Sequence, residues 1–100
     1  MPLTSASRVV LSDDQVFTTL GDESVILGLR DGVYYGLDAV GARVWDLLAE
    51  PRRVSEVVDV LLDEFDVERA QCERDVLSLL ETLASKSLIR EVSDAAEGAL

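Results

Sequence analysis

Residues 31–48 read DGVYYGLDAVGARVWDLL, and the fold turns on a change of hydrophobic period inside them. Successive side chains of a strand alternate faces, so Val33, Tyr35 and Leu37 share one side of an extended segment and Tyr34 and Gly36 the other. From Asp38 onward the apolar spacing becomes about 3.6 residues: Val40, Val44, Leu47 and Leu48 form one helical stripe, with Trp45 beside it. Asp38 stands where an N-cap carboxylate accepts the first free amides of that helix. A strand therefore runs directly into a helix. Leu37 belongs against the helices and takes Tyr35 with it, which leaves Tyr34 on the opposite face of the sheet.

Working upstream, Asp31-Gly32 is a hairpin signal, because glycine accepts positive φ without steric cost. Ser24 to Leu29 is a β-rich run before it, Gly21-Asp22-Glu23 a turn, and Val16 to Leu20 a further β-branched and aromatic run. These segments make a three-stranded antiparallel meander. Residues 1–12 hold one short apolar run, Val9-Val10-Leu11, and form either a frayed end or a weak first strand.

Downstream, the first helix ends at Glu50-Pro51. Val54, Val57, Val58, Leu61, Leu62 and Phe65 make a second apolar stripe opposite Glu56, Asp59, Asp63 and Glu64, which predicts a helix over about 54–65. Asp66 can cap a third helix reaching roughly Lys86, where Val76, Leu77, Leu79, Leu80, Leu83 and Ala84 cover more than one narrow stripe and bury two sides. Leu88 to Val92 returns to an extended pattern, and Ser93 to Leu100 reads as a loose tail. The expected organisation is one α+β domain over 13–92, flanked by termini at 1–12 and 93–100. Its elements are ordered as a winged helix-turn-helix with an N-terminal three-stranded antiparallel sheet followed by three helices.

Composition narrows the function classes. One hundred residues, 48% of them hydrophobic, fold unaided but leave little core to spare for a large catalytic cavity. The single cysteine, Cys72, excludes internal disulfides and cysteine-based metal clusters, and the absence of histidine removes the commonest metal ligand and general base. No metal or cofactor is expected. Twenty acidic against nine basic residues give a net charge of −11, which repels a phosphate backbone at long range. The longest apolar runs, such as Val25-Ile26-Leu27, are far too short for a membrane span, and the N-terminus lacks the pattern of a secretion signal, so a cytoplasmic location is expected.

Tyr34-Tyr35-Gly36-Leu37-Asp38-Ala39-Val40-Gly41-Ala42-Arg43-Val44-Trp45-Asp46-Leu47-Leu48 resembles the aromatic, leucine, Asn/Asp, small, Gly-Ala pattern of the PqqD family. Pro51-Arg52-Arg53-Val54-Ser55-Glu56-Val57-Val58 resembles that family's entry to its second helix, and Asp75 to Leu83 its third. The match spans about 16–92. The resemblance implies a recognition element for ribosomally made, modified peptides, which binds a precursor's leader segment as an added antiparallel strand beside the third strand, in the cleft facing the third helix. It implies no catalysis, and enzymes acting separately: in lasso peptide biosynthesis a leader-cleaving cysteine protease and an ATP-dependent cyclase, or, alternatively, a radical SAM enzyme in pyrroloquinoline quinone or related maturation. One departure is Arg53, where the family usually has a Ser or Thr cap; its lack weakens the second helix's start by about 1 kcal/mol.

On that implication the candidate leader-binding residues are Val33, Tyr34, Tyr35 and Gly36 on the strand and Cys72, Asp75, Val76, Leu79, Leu83 and Lys86 on the third helix. An edge strand presents unpaired amides and carbonyls that an extended peptide satisfies, with Gly36 allowing close backbone approach. On the helix, Cys72, Val76, Leu79, Leu83 and Lys86 recur at three- and four-residue spacing, with Asp75 beside them. Val76 and Leu83 serve equally well as plain core. A carboxylate on an apolar face costs desolvation unless a partner arrives, so Asp75 awaits a guest's donor or is paired near Arg74 or simply exposed.

Other residues read more plainly. Trp45 is an anchor of the first helix, and Cys72, without a histidine partner, is a small hydrophobe rather than a nucleophile. Gly41 inside a helix costs about 1 kcal/mol relative to alanine and implies a tight neighbour. Two rival functions remain. A DNA-binding winged helix needs a basic reading helix, whereas 68–86 holds Glu68, Glu73, Asp75 and Glu81 against Arg69, Arg74 and Lys86. A small enzyme needs paired carboxylates in a pocket, and no such pair is evident.

Overall fold

The computed structural model describes residues 2–92, and the expected loose tail at 93–100 lies outside the described residues. In chain order the elements are β1 (Arg8–Leu11), β2 (Gln15–Leu20), β3 (Glu23–Gly28), β4 (Tyr34–Leu37), α1 (Ala39–Leu47), β5 (Arg52–Arg53), α2 (Val54–Glu64), α3 (Arg69–Ser85) and β6 (Ile89–Val92). The architecture is α+β, with two three-stranded antiparallel sheets ordered β2-β3-β4 and β5-β1-β6.

The meander forms as its turn chemistry dictates. Gly21 and Gly32 take the positive φ that the two hairpin connections require, at 66° and 67°. Register aligns Phe17, Ile26 and Tyr35 in one cross-strand row on the inner face. Ile26 is fully buried there, and Phe17 meets the Trp45 ring edge-on at 5.7 Å. The row Val16, Leu27 and Tyr34 lies on the outer face.

Asp38 caps α1 as its position predicts: its Oδ1 accepts the Gly41 amide at 2.9 Å. The tight neighbour of Gly41 is the turn just before it, since a Cβ there would stand 3.4 Å from the Leu37 Cβ and 3.3 Å from the capping carboxylate. The third helix departs from expectation. It starts at Arg69 with Glu68 as N-cap, not at Asp66, because the backbone leaves α2 extended at Phe65 and the first intrahelical bond runs from the Cys72 amide to the Glu68 carbonyl.

The first strand resolves the open reading of residues 1–12. β1 is the middle strand of the second sheet, pairing with β5 on one side and β6 on the other, and Val9 is completely buried. It also repairs the start of α2. An arginine side chain has no acceptor and cannot cap, yet the Glu56 carboxylate accepts the Arg53 amide at 2.8 Å. The next two amides, of Val54 and Ser55, donate to the Ser7 and Ser5 carbonyls at 2.9 Å each. The expected weakness at Arg53 is thus offset by backbone from the chain's beginning.

One core joins both sheets and all three helices, with Trp45, Ile26, Leu48, Leu61, Leu80, Leu88 and Val9 among its fully buried members. Among the described residues no helix is long and apolar enough to cross a membrane.

Candidate functional site

Among the described residues β4 pairs only with β3, so its other side is an open edge of the sheet. The Gly28 amide donates to the Val33 carbonyl at 3.0 Å, which makes 28/33 a hydrogen-bonded pair. Antiparallel pairs alternate, so Tyr35 and Leu37 direct their backbone groups at β3, and Tyr34 and Gly36 direct theirs outward. Two residues of edge backbone thereby face away from the sheet. A Cβ on Gly36 would meet nothing within 4 Å, so the space beside it is open.

Alongside this edge runs a groove of about 590 Å³. Gly36 and Leu37 form its strand side, Asp38, Val40, Gly41 and Val44 the start of α1, Leu61, Phe65 and Val67 the end of α2 and its connection, and Cys72, Asp75, Val76 and Leu79 the α3 wall. The sequence folds this way because α1 follows β4 without a loop, and the core stripe of α3 packs the opposite wall against α2. Val40 and Val67 remain 39% and 43% exposed, which puts apolar surface at the mouth of the groove.

Its ionisable lining consists of Asp38, Cys72 and Asp75. Asp75 accepts the Gln71 amide nitrogen Nε2 on Oδ1 at 2.8 Å. Of the three readings left open for it, pairing near Arg74 is absent among the described residues, since Arg74 donates to the Gln71 Oε1 at 3.0 Å, and Asp75 is exposed. Cys72 is buried, and burial first and Asp75 second hold its thiol above the ordinary range, so it is a neutral wall group.

The other end of β4 is fixed by Asp31. Its Oδ1 accepts the Val33 amide at 3.0 Å and its Oδ2 accepts the Tyr35 hydroxyl at 2.6 Å. The Tyr35 bond is the main reason that the Asp31 carboxyl titrates below its usual range, and the Tyr35 phenol correspondingly lies above its own.

Of the ten candidate residues, the groove brings together Gly36, Cys72, Asp75, Val76 and Leu79. Tyr34 is 70% exposed on the outer face, Tyr35 packs partly buried against the core, and Val33 is exposed just before β4. Leu83 and Lys86 are not part of the groove lining: Leu83 is core, 3% exposed, and Lys86 is the exposed C-cap of α3. The α3 wall of the groove runs from Cys72 to Leu79 and stops short of Leu83 and Lys86. Sequence reasoning missed Val40, Val44, Leu61, Phe65 and Val67. Val40, Val44, Leu61 and Phe65 belong to stripes that read as core, Val67 lies in the connection between α2 and α3 where no period marks it, and no local signal separates a groove wall from a core wall.

The chain matches, over residues 23–89, the model of the family described as coenzyme PQQ synthesis protein D (PqqD). The solved structure of TbiB1 in complex with the TbiA(beta) leader peptide is 44% identical, covers 85% of this chain and 99% of that one, and superimposes with a TM-score of 0.76. That of a lasso peptide synthetase B1 complexed with the leader peptide is 24% identical, covers 82% of this chain and 96% of that one, with a TM-score of 0.72, and speaks to the fold. No curated protein matches the chain.

Proposed function

This chain belongs to the PqqD family, and from that premise we propose that it binds the leader segment of a ribosomally made precursor peptide as a further strand on β4. The observation that carries the reading is the continuity of an unpaired strand edge with an apolar groove. Backbone bonds to Tyr34 and Gly36 supply affinity without regard to sequence, and alternate guest side chains entering the groove supply selectivity. A relative of 44% identity, aligned over nearly its whole length, is a protein held in complex with a leader peptide.

The role is non-catalytic. Holding the leader raises the local concentration of the attached core peptide near enzymes that act on it. We place it in lasso peptide biosynthesis, with a leader-cleaving cysteine protease and an ATP-dependent cyclase as the enzymes served; the fold shared with a lasso peptide synthetase B1 supports this. The family model's own description favours a second reading, service to a radical SAM enzyme in quinone-cofactor maturation. Neighbouring genes discriminate the two: a transglutaminase-like protease beside an asparagine-synthetase-like enzyme, or a radical enzyme.

The site is tested with isotope-labelled protein and the leader of the precursor encoded beside its gene. Amide shifts should concentrate along Tyr34–Leu37 and along α3 from Cys72 to Leu79. Tyr34→Pro removes an outward amide without touching the β3 ladder, so it should fold normally and bind about 3- to 10-fold more weakly, the worth of one backbone hydrogen bond. An unshifted edge at saturating leader would place the site elsewhere.

A further inference from the structure

The geometry points to a guest strand that carries a Lys or Arg beside its bulky apolar anchor, and against one that carries Asp or Glu there; this rests on the strand-addition reading above. The groove is walled by aliphatic and aromatic groups, among them Val44, Leu61, Phe65 and Leu79, and none of the described residues that line it is basic. Its two carboxylates stand on different elements, Asp38 at the start of α1 and Asp75 on α3. Each has one oxygen committed, Asp38 to the Gly41 amide and Asp75 to Gln71, and the second oxygen of each accepts no hydrogen bond among the described residues. Neither carboxylate is in an ion pair there.

The arginines on the flanking helices are engaged elsewhere. Arg43 grips Glu64 through two bonds of 2.8 Å, Arg69 donates to Asp59 at 2.7 Å, and Arg74 donates to Gln71. Cys72 stays neutral. The groove thus holds two anionic acceptors and no internal cation, in a chain whose net charge of −11 adds to the same field. A guest strand seated over them excludes water and strengthens whatever electrostatics it meets. An ammonium or guanidinium then gains charge-assisted bonds, whereas a carboxylate is desolvated against like charge.

The test pans a displayed library of random linear peptides against the full chain, then measures selected peptides by calorimetry and by amide shifts. Selected sequences should pair a bulky apolar residue with Lys or Arg and be depleted of Asp and Glu beside it. Replacing that basic residue by alanine should weaken binding about 5- to 10-fold at low salt. Asp75→Lys, at an exposed position that leaves the core untouched, should abolish this difference and turn selection toward acidic peptides. Glu91→Lys alters net charge equally but lines a separate cavity with Leu3, Val9 and Ala84, and should change neither. If selected peptides shift the amides of Tyr34–Leu37 without basic enrichment, or Glu91→Lys acts as strongly as Asp75→Lys, the charge selection is wrong and strand addition stands. If no selected peptide shifts those amides, both readings fall.

Discussion

Asp31 shows how one side chain can set the shape of a strand edge. Its carboxylate holds the Val33 amide and the Tyr35 hydroxyl at once, so the hairpin turn and the first inward residue of β4 are tied together. Its pKa is depressed, so the link is complete above the ordinary carboxylate value and is lost as pH falls through the lowered one, below about 4. The Tyr35 pKa is raised, so the link persists up to the ordinary phenol value and is lost as pH climbs beyond about 10. In Tyr35→Phe, an NMR titration should find the Asp31 carboxyl moved back up toward its ordinary value and the Val33 amide less protected. Ser87 carries strain of a different kind. It closes α3 at φ 62°, donating its amide to Ala84 while the Leu88 amide reaches Leu83, both at 3.0 Å, in the place that glycine usually fills. Ser87→Gly should therefore raise stability by about 0.5–1 kcal/mol in urea unfolding, the left-handed cost outweighing an exposed bond to Arg30.

Among the elements, β1 is the one whose importance its sequence hides. Four residues long, it joins β5 to β6 as the middle strand of their sheet, and the backbone just before it satisfies the amides that open α2. Val9→Ala should cost about 2 kcal/mol in urea unfolding followed by circular dichroism, whereas a frayed segment would move stability by less than about 0.5 kcal/mol. β4 has the opposite character. It is short, half-exposed and paired on one side, and its stability comes from Leu37 and Tyr35 packing inward rather than from its free edge. That division lets one edge stay unpaired without loosening the fold.

At the scale of the whole molecule, charge is the dominant feature. A net −11 on one hundred residues opposes compaction, and mobile salt screens it over about 10 Å at 0.1 M. Raising NaCl from about 0.02 to about 0.2 M should increase the thermal midpoint measured by calorimetry. The same step should weaken any basic guest, so stability and affinity are expected to move in opposite directions with salt. A protein whose unfolding midpoint fell on adding salt would owe more to its ion pairs, such as Arg43 with Glu64, than to self-repulsion.

The period change at Asp38 determined by itself that a meander leads into helices. Asp-Gly and Gly-Asp turns, a capping carboxylate and apolar stripes are all local, and each acts through neighbours a few residues away. The strand edge and the α3 residues Cys72, Asp75, Val76 and Leu79 were legible through the resemblance to a family, with helical spacing only grouping the latter on one face. Tertiary structure alone decided the second sheet, because β1 meets β5 and β6 from far along the chain, as in Arg8 with Arg53 and with Val92. It alone decided which apolar residues line the groove and which fill the core. Leu83 and Leu79 differ by one helical turn and not at all in chemistry, yet packing buries the first and opens the second onto the groove. Hydrophobic burial is non-directional, so a sequence records that a side chain avoids water and not which neighbour shields it.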